Sequence, residues 1–397
     1  MMLKFLFRNR SWPIALDIGA GGIRTLQLRT VGGRQTAVAS ARWLFPHQIA
    51  ATEACNPDRV SMAVEAVKEM LRTNPFRGRR VVSSLPTGRL HIKNVRLPHT
   101  SDDQLREAVL AEARERFSFE VKPDQLSYLN AGPVRQGTET RDEIIMMAAP
   151  PETIDQHMDM LDRMGLQAEH IDAEPIAMFR GFERFLRRAT DETAVSVVVD
   201  IGMSGTRVVI ARGRQIVFIK NIDIGGRRFT EAVAGQLNLS FDEASDLRIR
   251  MIQERQGPAP ADPECRGPAA ASAGGNTVNW TIYDALRAEV EALAREVALC
   301  LRYCAVTFRG LRAQRVTVVG GEAYDGAVLQ ILSDHLGVPC TVGQPLRGVD
   351  TSEVDLGADR RGTLTEWAVC SGLAIRSIDA KLFQALPAEQ EAERMTA

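Results

Sequence analysis

Apolar and polar positions along this chain follow two periods, and the alternation between them predicts a mixed α/β protein. Short runs that are unbroken or alternate every second residue occupy 14–16, 25–28, 80–85, 91–97, 125–130, 143–149, 195–199, 208–211 and 316–319, and predict strands. Helical spacing appears at Val60, Val64, Val67 and Leu71 within 58–73. Ser101 has the character of an N-cap for a helix reaching Phe117, with Asp102 and Asp103 facing the positive end of its dipole. Further helices are expected from Pro150 or Pro151 to about Gly165, from near Phe229, over 242–253 behind Ser240, over 281–311, over 326–336 and over 367–378. Residues 257–279 are rich in Pro, Ala and Gly without any period and read as a disordered surface loop, and 384–397 as a loose tail.

One stretch of this pattern occurs twice. Asp17-Ile18-Gly19-Ala20-Gly21-Gly22-Ile23-Arg24 returns as Asp200-Ile201-Gly202-Met203-Ser204-Gly205-Thr206-Arg207. Each copy follows an apolar strand, precedes another, and is followed by Gly-Arg-Gln, at Gly33-Arg34-Gln35 and Gly213-Arg214-Gln215. Strand, tight glycine turn, strand, turn, strand is a β-meander. Its reuse implies two related domains facing one another.

Paired Asp-Gly hairpins across a cleft suit a nucleotide's phosphates. Glycine lets the backbone approach an anion and offer it N–H groups, and a carboxylate at the strand end can hold a hydrated Mg²⁺. Asp17 and Asp200 are the candidate metal-shell carboxylates. Gly19, Gly21 and Gly22 would form one phosphate clamp, and Gly202, Ser204, Gly205 and Thr206 the other. A single Asp-Ile-Gly is often only a turn with an exposed carboxylate; two in matched strand contexts point to chemistry. Val316–Val319 leading into Gly320, Gly321 and Glu322 offers bare backbone to an adenine and ribose, although a left-handed turn between strand and helix would look similar.

Charge narrows the function. Lys and Arg number 49 against 50 Asp and Glu, for a net charge of −1, which disfavours a dedicated nucleic-acid binder. Clusters such as Arg77, Arg79 and Arg80 read as solvated faces. No apolar run approaches the roughly 20 residues needed to span a bilayer, and the start is too short in its apolar part for a secretory signal. Six scattered cysteines form no zinc pattern, with Cys300 and Cys304 expected as buried thiols on one helix face; the six histidines form no triad or metal grouping. A cytoplasmic protein is expected.

The order of hairpin, hairpin, then strand and paired glycines is the layout of the actin, hexokinase and Hsp70 superfamily. Within it the chain resembles the PilM family of type IV pilus assembly over about 3–378. The likeness rests on Met2 to Phe7; Leu85-Pro86 with Ile92-Lys93-Asn94-Val95-Arg96-Leu97-Pro98; Glu107 to Phe119; and Met164-Gly165-Leu166 leading to Asp172-Ala173-Glu174-Pro175. It continues through Ile224-Gly225-Gly226 and Ser371-Gly372-Leu373-Ala374-Ile375-Arg376. The resemblance implies an actin-like ATPase fold of two duplicated ribonuclease H-like domains, FtsA-like in arrangement. The first domain would comprise 12–79, 171–190 and 368–383, with a small α+β domain inserted at 80–170. The second would comprise 191–222 and 313–367, with a helical subdomain at 223–312.

It further implies ATP or ADP with Mg²⁺ in the cleft, and a groove on the first half gripping the cytoplasmic N-terminal peptide of a PilN-like inner-membrane protein. Pilus assembly ATPase and platform proteins, and possible homo-oligomers, complete the implied partners. Where the family carries Ala-Glu-x-x-Lys, this chain has Ala244-Ser245-Asp246-Leu247-Arg248, so Arg248 would supply the cation beside the nucleoside while a carboxylate is lost. Glu174, by resemblance to the actin-like connecting helix, is the candidate to orient an attacking water; a surface or capping role is the other reading. The chain would be at most a slow ATPase. The alternatives are a filament-forming FtsA-like cell-division protein, whose amphipathic membrane helix the polar end here does not supply, and a superfamily kinase, whose substrate-pocket segment is not found.

Overall fold

The computed structural model describes residues 12–31, 34–50, 52–255, 273–308, 310–357 and 362–376. Strands and helices are numbered along the chain, fourteen and ten among these residues. The first sheet joins β1 (Ile14–Ile18), β2 (Gly22–Val31), β3 (Arg34–Leu44), β4 (Arg80–Leu85), β8 (Gln167–Ala173) and β14 (Val349–Asp350) in the order β14-β3-β2-β1-β4-β8. The second joins β9 (Val195–Ile201), β10 (Thr206–Arg212), β11 (Gln215–Ile222), β12 (Val316–Val319) and β13 (Cys340–Val342) in the order β11-β10-β9-β12-β13. Apart from β14 the two are one design: an antiparallel three-strand meander whose first strand pairs in parallel with a fourth, and the fourth with a fifth. The duplication expected from the repeated hairpin is thus visible in strand order.

Helices cover both sheets. α1 (His47–Ala50), α2 (Pro57–Thr73) and α4 (Pro151–Arg163) enclose one face of the first sheet, burying Val64, Val67, Leu161 and Met164 against Leu16 and Ile23. Asn56 caps α2 by accepting from the N–H groups of Asp58 and Arg59 at 3.0 and 3.2 Å, with Pro57 in the first turn. α5 (Glu174–Glu183) and α10 (Ala368–Arg376) fill the other face and join the large core of the second half. There, α6 (Gly226–Leu237), α7 (Phe241–Arg255), α8 (Ala273–Thr307) and α9 (Gly326–Leu336) surround the second sheet. On α8, Ile282, Leu286, Val290, Leu293, Val297, Cys300 and Cys304 are buried at spacings of three and four, with Ala294 beside them. Burial pushes the two thiols up to about 11 and about 12.

A third, three-stranded antiparallel sheet, β5 (His91–Pro98), β7 (Glu139–Ala148) and β6 (Leu126–Gln136), packs against α3 (Asp102–Arg116) around Val95, Val109, Phe117 and Ile144. This unit is narrower than the expected 80–170, because β4, α4 and β8 pair and pack within the first sheet. Likewise β14, expected in the second half, pairs with β3 of the first. Ser101 precedes α3 but makes no side-chain capping bond. The expected loop at 257–279 lies largely outside the described residues, and its end, from Ala273, is already helix α8. The N-terminal residues 1–11 and the tail after 376 also lie outside them.

Candidate functional site

The two repeated hairpins meet at the centre of the molecule. In each turn the first glycine donates its N–H to the last one's carbonyl at 2.9 Å, Gly19 to Gly22 and Gly202 to Gly205. Their remaining carbonyls are drawn backwards. Arg59, buried on α2 and stacked 4.2 Å from the Phe45 ring, donates to the carbonyls of Gly19 and Ala20 at 2.9 Å each, and Phe45 N–H donates to Gly21. In the second copy the first N–H groups of α6, Gly226 and Arg227, donate to Gly202 and Met203 at 2.9 Å. A trans peptide points its N–H opposite its carbonyl, so the amides of Ala20, Gly21, Met203 and Ser204 turn away from these anchors. Nothing in the sequence pattern singled out Arg59.

Between the hairpins lies a cavity of about 550 Å³, within the usual range for a small-molecule site. Its lining combines glycine backbone and arginine with the apolar Phe45, Pro46, Ala50, Ile249 and Ile252. Of the expected phosphate glycines, Gly19 and Gly21 line it without a positive φ, and a Cβ on either would meet its nearest protein atom only at 3.6 Å. At Gly321 no atom lies within 4 Å. These three glycines have no packing reason to be glycine, and their missing side chains widen the cavity. Gly22 is different: it sits in β2, and a Cβ would strike the Trp43 carbonyl. Gly205 is packed against Ile222, and Gly320, at φ +90°, against Asp200 Oδ1.

Among the other expected residues, Ser204 is exposed at the cavity wall. Thr206 is buried, and its hydroxyl donates to the Ile224 carbonyl at 2.6 Å rather than lining the cavity. Arg248 and Glu322 do line the cavity, but they hold each other: Arg248 Nη2 donates to Glu322 Oε2 at 2.5 Å, while Nη1 donates to Thr230 at 3.0 Å. Glu174, the first residue of α5, is buried and accepts from Arg207 Nη1 at 2.7 Å.

Two arginines that the repeat displays, but that the sequence reading left without a role, dominate the centre. Arg24 and Arg207 each lie directly across the hairpin from its aspartate, in the register pairs Asp17–Arg24 and Asp200–Arg207. Both line the cavity. Arg24 Nε is buried without a hydrogen-bond partner. Arg207 donates to Asp200 Oδ2 through Nε at 2.9 Å and Nη2 at 2.5 Å, bridging Asp200 to Glu174. Burial works against its charge, but Asp200, Glu174 and Asp17 outweigh that and raise its pKa. Asp17 is pushed up to about 7, chiefly by burial, with Arg24 as the main counterweight.

Mg²⁺ shells need carboxylate oxygens open to the ion or its waters. Asp200 and Glu174 are both occupied by Arg207, Asp200 Oδ1 faces Gly320, and no group of three His, Cys, Asp or Glu side chains that could hold a metal occurs among the described residues. Of the Asp17 and Asp200 pair expected from the sequence, Asp200 is already engaged by a guanidinium, so a metal held by the pair does not fit without displacing Arg207.

Comparison with known proteins follows the same architecture. A family model described as type IV pilus assembly protein PilM matches residues 15–253, which take in both hairpins and Arg248. A solved PilM-PilN type IV pilus biogenesis complex contains a chain 23% identical, covering 93% of this chain and 99% of that one, with a TM-score of 0.71. The ethanolamine utilization protein EutJ from Carboxydothermus hydrogenoformans is 14% identical, covering 92% of this chain and 89% of that one, with a TM-score of 0.51. These likenesses fix the fold as that of the actin-like ATPases. No helix among the described residues is long and apolar enough to cross a membrane. With the family model running from the first hairpin through the second, the chain belongs to the PilM family of type IV pilus assembly proteins.

Proposed function

We propose that this protein is a nucleotide-binding scaffold of type IV pilus assembly, cytoplasmic and peripheral to the inner membrane, which holds ATP or ADP between its two hairpins. The observation that carries this reading is the pair of turns whose carbonyls are anchored behind and whose amides face a cavity of about 550 Å³. Backbone N–H groups and Arg24 would take the phosphates, and the apolar lining near Ile249 and Ile252 the base. The turns approach closely, with a Cβ on Gly21 only 3.6 Å from Met203 Cβ, so a phosphate chain between them would set the separation of the halves. Glu174 is held by Arg207 and is not free to orient a water, which suits slow turnover at most.

The partner would be a PilN-like inner-membrane protein, as in the solved PilM-PilN complex. Its short cytoplasmic peptide would dock on the first half, for which a pocket of about 260 Å³ between α2 and α4, walled by Val60, Leu85, Pro86, Arg89, Met160 and Arg163, is the candidate. Assembly ATPase and platform proteins, and further copies of the chain, would meet the scaffold elsewhere.

Calorimetric titration with ATP tests the nucleotide site. Gly321→Val has open space in the free protein, so the variant should keep its melting temperature yet bind ATP at least about tenfold more weakly. Unchanged affinity would remove the cleft as the nucleotide site.

A further inference from the structure

Arg207 stands where the two halves of the cleft converge. It comes from β10, its counter-carboxylate Asp200 from β9, and its second carboxylate Glu174 from α5, the helix entered from the last strand of the first sheet. The Arg207 side chain is 17% exposed while both partners are 4% exposed; Arg207 and Asp200 line the cavity, and Glu174 lies behind them. Arg24 repeats the position in the other hairpin, opposite Asp17. The cavity thus presents two arginines, one from each hairpin, of which Arg207 is held by ion pairs.

We infer that Arg207 takes the place of the divalent cation in this cleft, so that the chain binds a nucleoside di- or triphosphate without Mg²⁺. The inference rests on the nucleotide reading above and deepens it. Its physical basis is competition for the same oxygens. A metal ion recruited by Asp200 would have to displace two charge-assisted N–H bonds from one oxygen and strand a guanidinium beside it. A phosphate chain reaching Arg24 and Arg207 instead meets guanidiniums that keep their protons, set among Asp17, Asp200 and Glu174. The bond from Arg207 to Glu174 also ties that cation to the element joining the halves, so phosphate drawn to Arg207 would act on their separation directly.

The test is the metal dependence of affinity. ATP and ADP are titrated calorimetrically into the full chain in excess EDTA and in excess Mg²⁺. The wild type should bind within about threefold under both conditions, since the coupling between metal and nucleotide is removed. Arg207→Ala alone would take this counter-charge from two buried carboxylates, so Arg207→Ala/Glu174→Gln is the working variant; it releases Asp200 from Arg207 while neutralising its neighbour. That variant should bind about tenfold or more tightly with Mg²⁺ than with EDTA. A merely structural ion pair at Arg207 would alter stability without changing this ratio. A wild type that binds only with Mg²⁺ overturns the inference and leaves the nucleotide function standing. A double variant still indifferent to Mg²⁺ also overturns it. Absence of binding under either condition overturns the nucleotide reading itself, and the inference with it.

Discussion

Buried polar side chains in this protein are placed where backbone would otherwise be left unsatisfied or unguided. Arg59 is 4% exposed on a helix face that its apolar neighbours would assign to a hydrophobe, yet it satisfies three carbonyls, those of Ile49, Gly19 and Ala20. His157 illustrates the cost of such burial. Its Nε2 lies 2.8 Å from Ser83 Oγ, and desolvation, helped by the charge of Arg89, lowers its pKa from 6.5 to about 4. The unfolded chain takes up a proton between those values that the folded chain refuses. Stability is therefore complete above pH 6.5 and drains away as the pH falls towards 4, by about 3 kcal/mol at most. His157→Gln should flatten that part of the curve of unfolding free energy against pH, measured in urea; an unchanged slope would assign it to other groups. At this scale legibility was uneven. Both aspartates, Gly19 and Gly202 could be read because they recur in register, and Gly321 because it follows an apolar strand. Arg24 and Arg207 recurred equally, but a charge at a strand position reads as solvent-facing until its cross-strand partner is known. Arg248 and Glu322 were legible as cavity residues, whereas their mutual bond depends on helices brought together from distant parts of the chain.

Among elements, those with their own strong period were found and those defined by partners were not. β9, β10 and β12 are apolar runs that no loop would tolerate, and the meander follows from their turns. β14 is two residues long and exists only because β3 offers an edge. The limits of the inserted sheet were misplaced for the same reason: β4 and β8 carry the pattern of any buried strand, and only pairing assigns them to the first sheet. The contact of α5 with α10 is another case. A Cβ on Gly372 would overlap the Ala177 carbonyl, so the helices meet backbone to backbone, and the same joint is stapled by Asp172 accepting from Arg180 at 2.8 Å and Arg376 at 2.9 Å. Gly372→Ala should cost about 2–3 kcal/mol by forcing these helices apart, despite alanine's better helix propensity. Chemical denaturation would show it, and a stabilised variant would mean that the contact relaxes freely.

The whole molecule connects its two proposed ligand sites. The inserted sheet reaches across to the second half, where buried Glu143 accepts from Arg96 at 2.8 Å on its own sheet and from Tyr303 of α8 at 2.9 Å. Gln215 of β11 adds a bond to the Asn130 carbonyl at 2.9 Å. The pocket between α2 and α4 therefore lies on a body whose neighbour is fastened to the far side of the cleft. Cys55, exposed at that pocket's rim, gives a direct reading of occupancy. A synthetic peptide matching the cytoplasmic N-terminus of a PilN-like partner should slow alkylation of Cys55 by about tenfold when saturating, followed by mass spectrometry; an unchanged rate would put the peptide elsewhere.

The position of α10 bears on how the molecule is made. This helix lies late in the chain but lines β1 and α5, with Trp367 just ahead of it fully buried. During synthesis the emerging N-terminal strands thus have one face covered only in part, by α5, until about 350 further residues have left the ribosome, on the order of tens of seconds at roughly 5–20 residues per second. For that interval the nascent first half leaves part of an apolar sheet face uncovered, and its completion waits for α10.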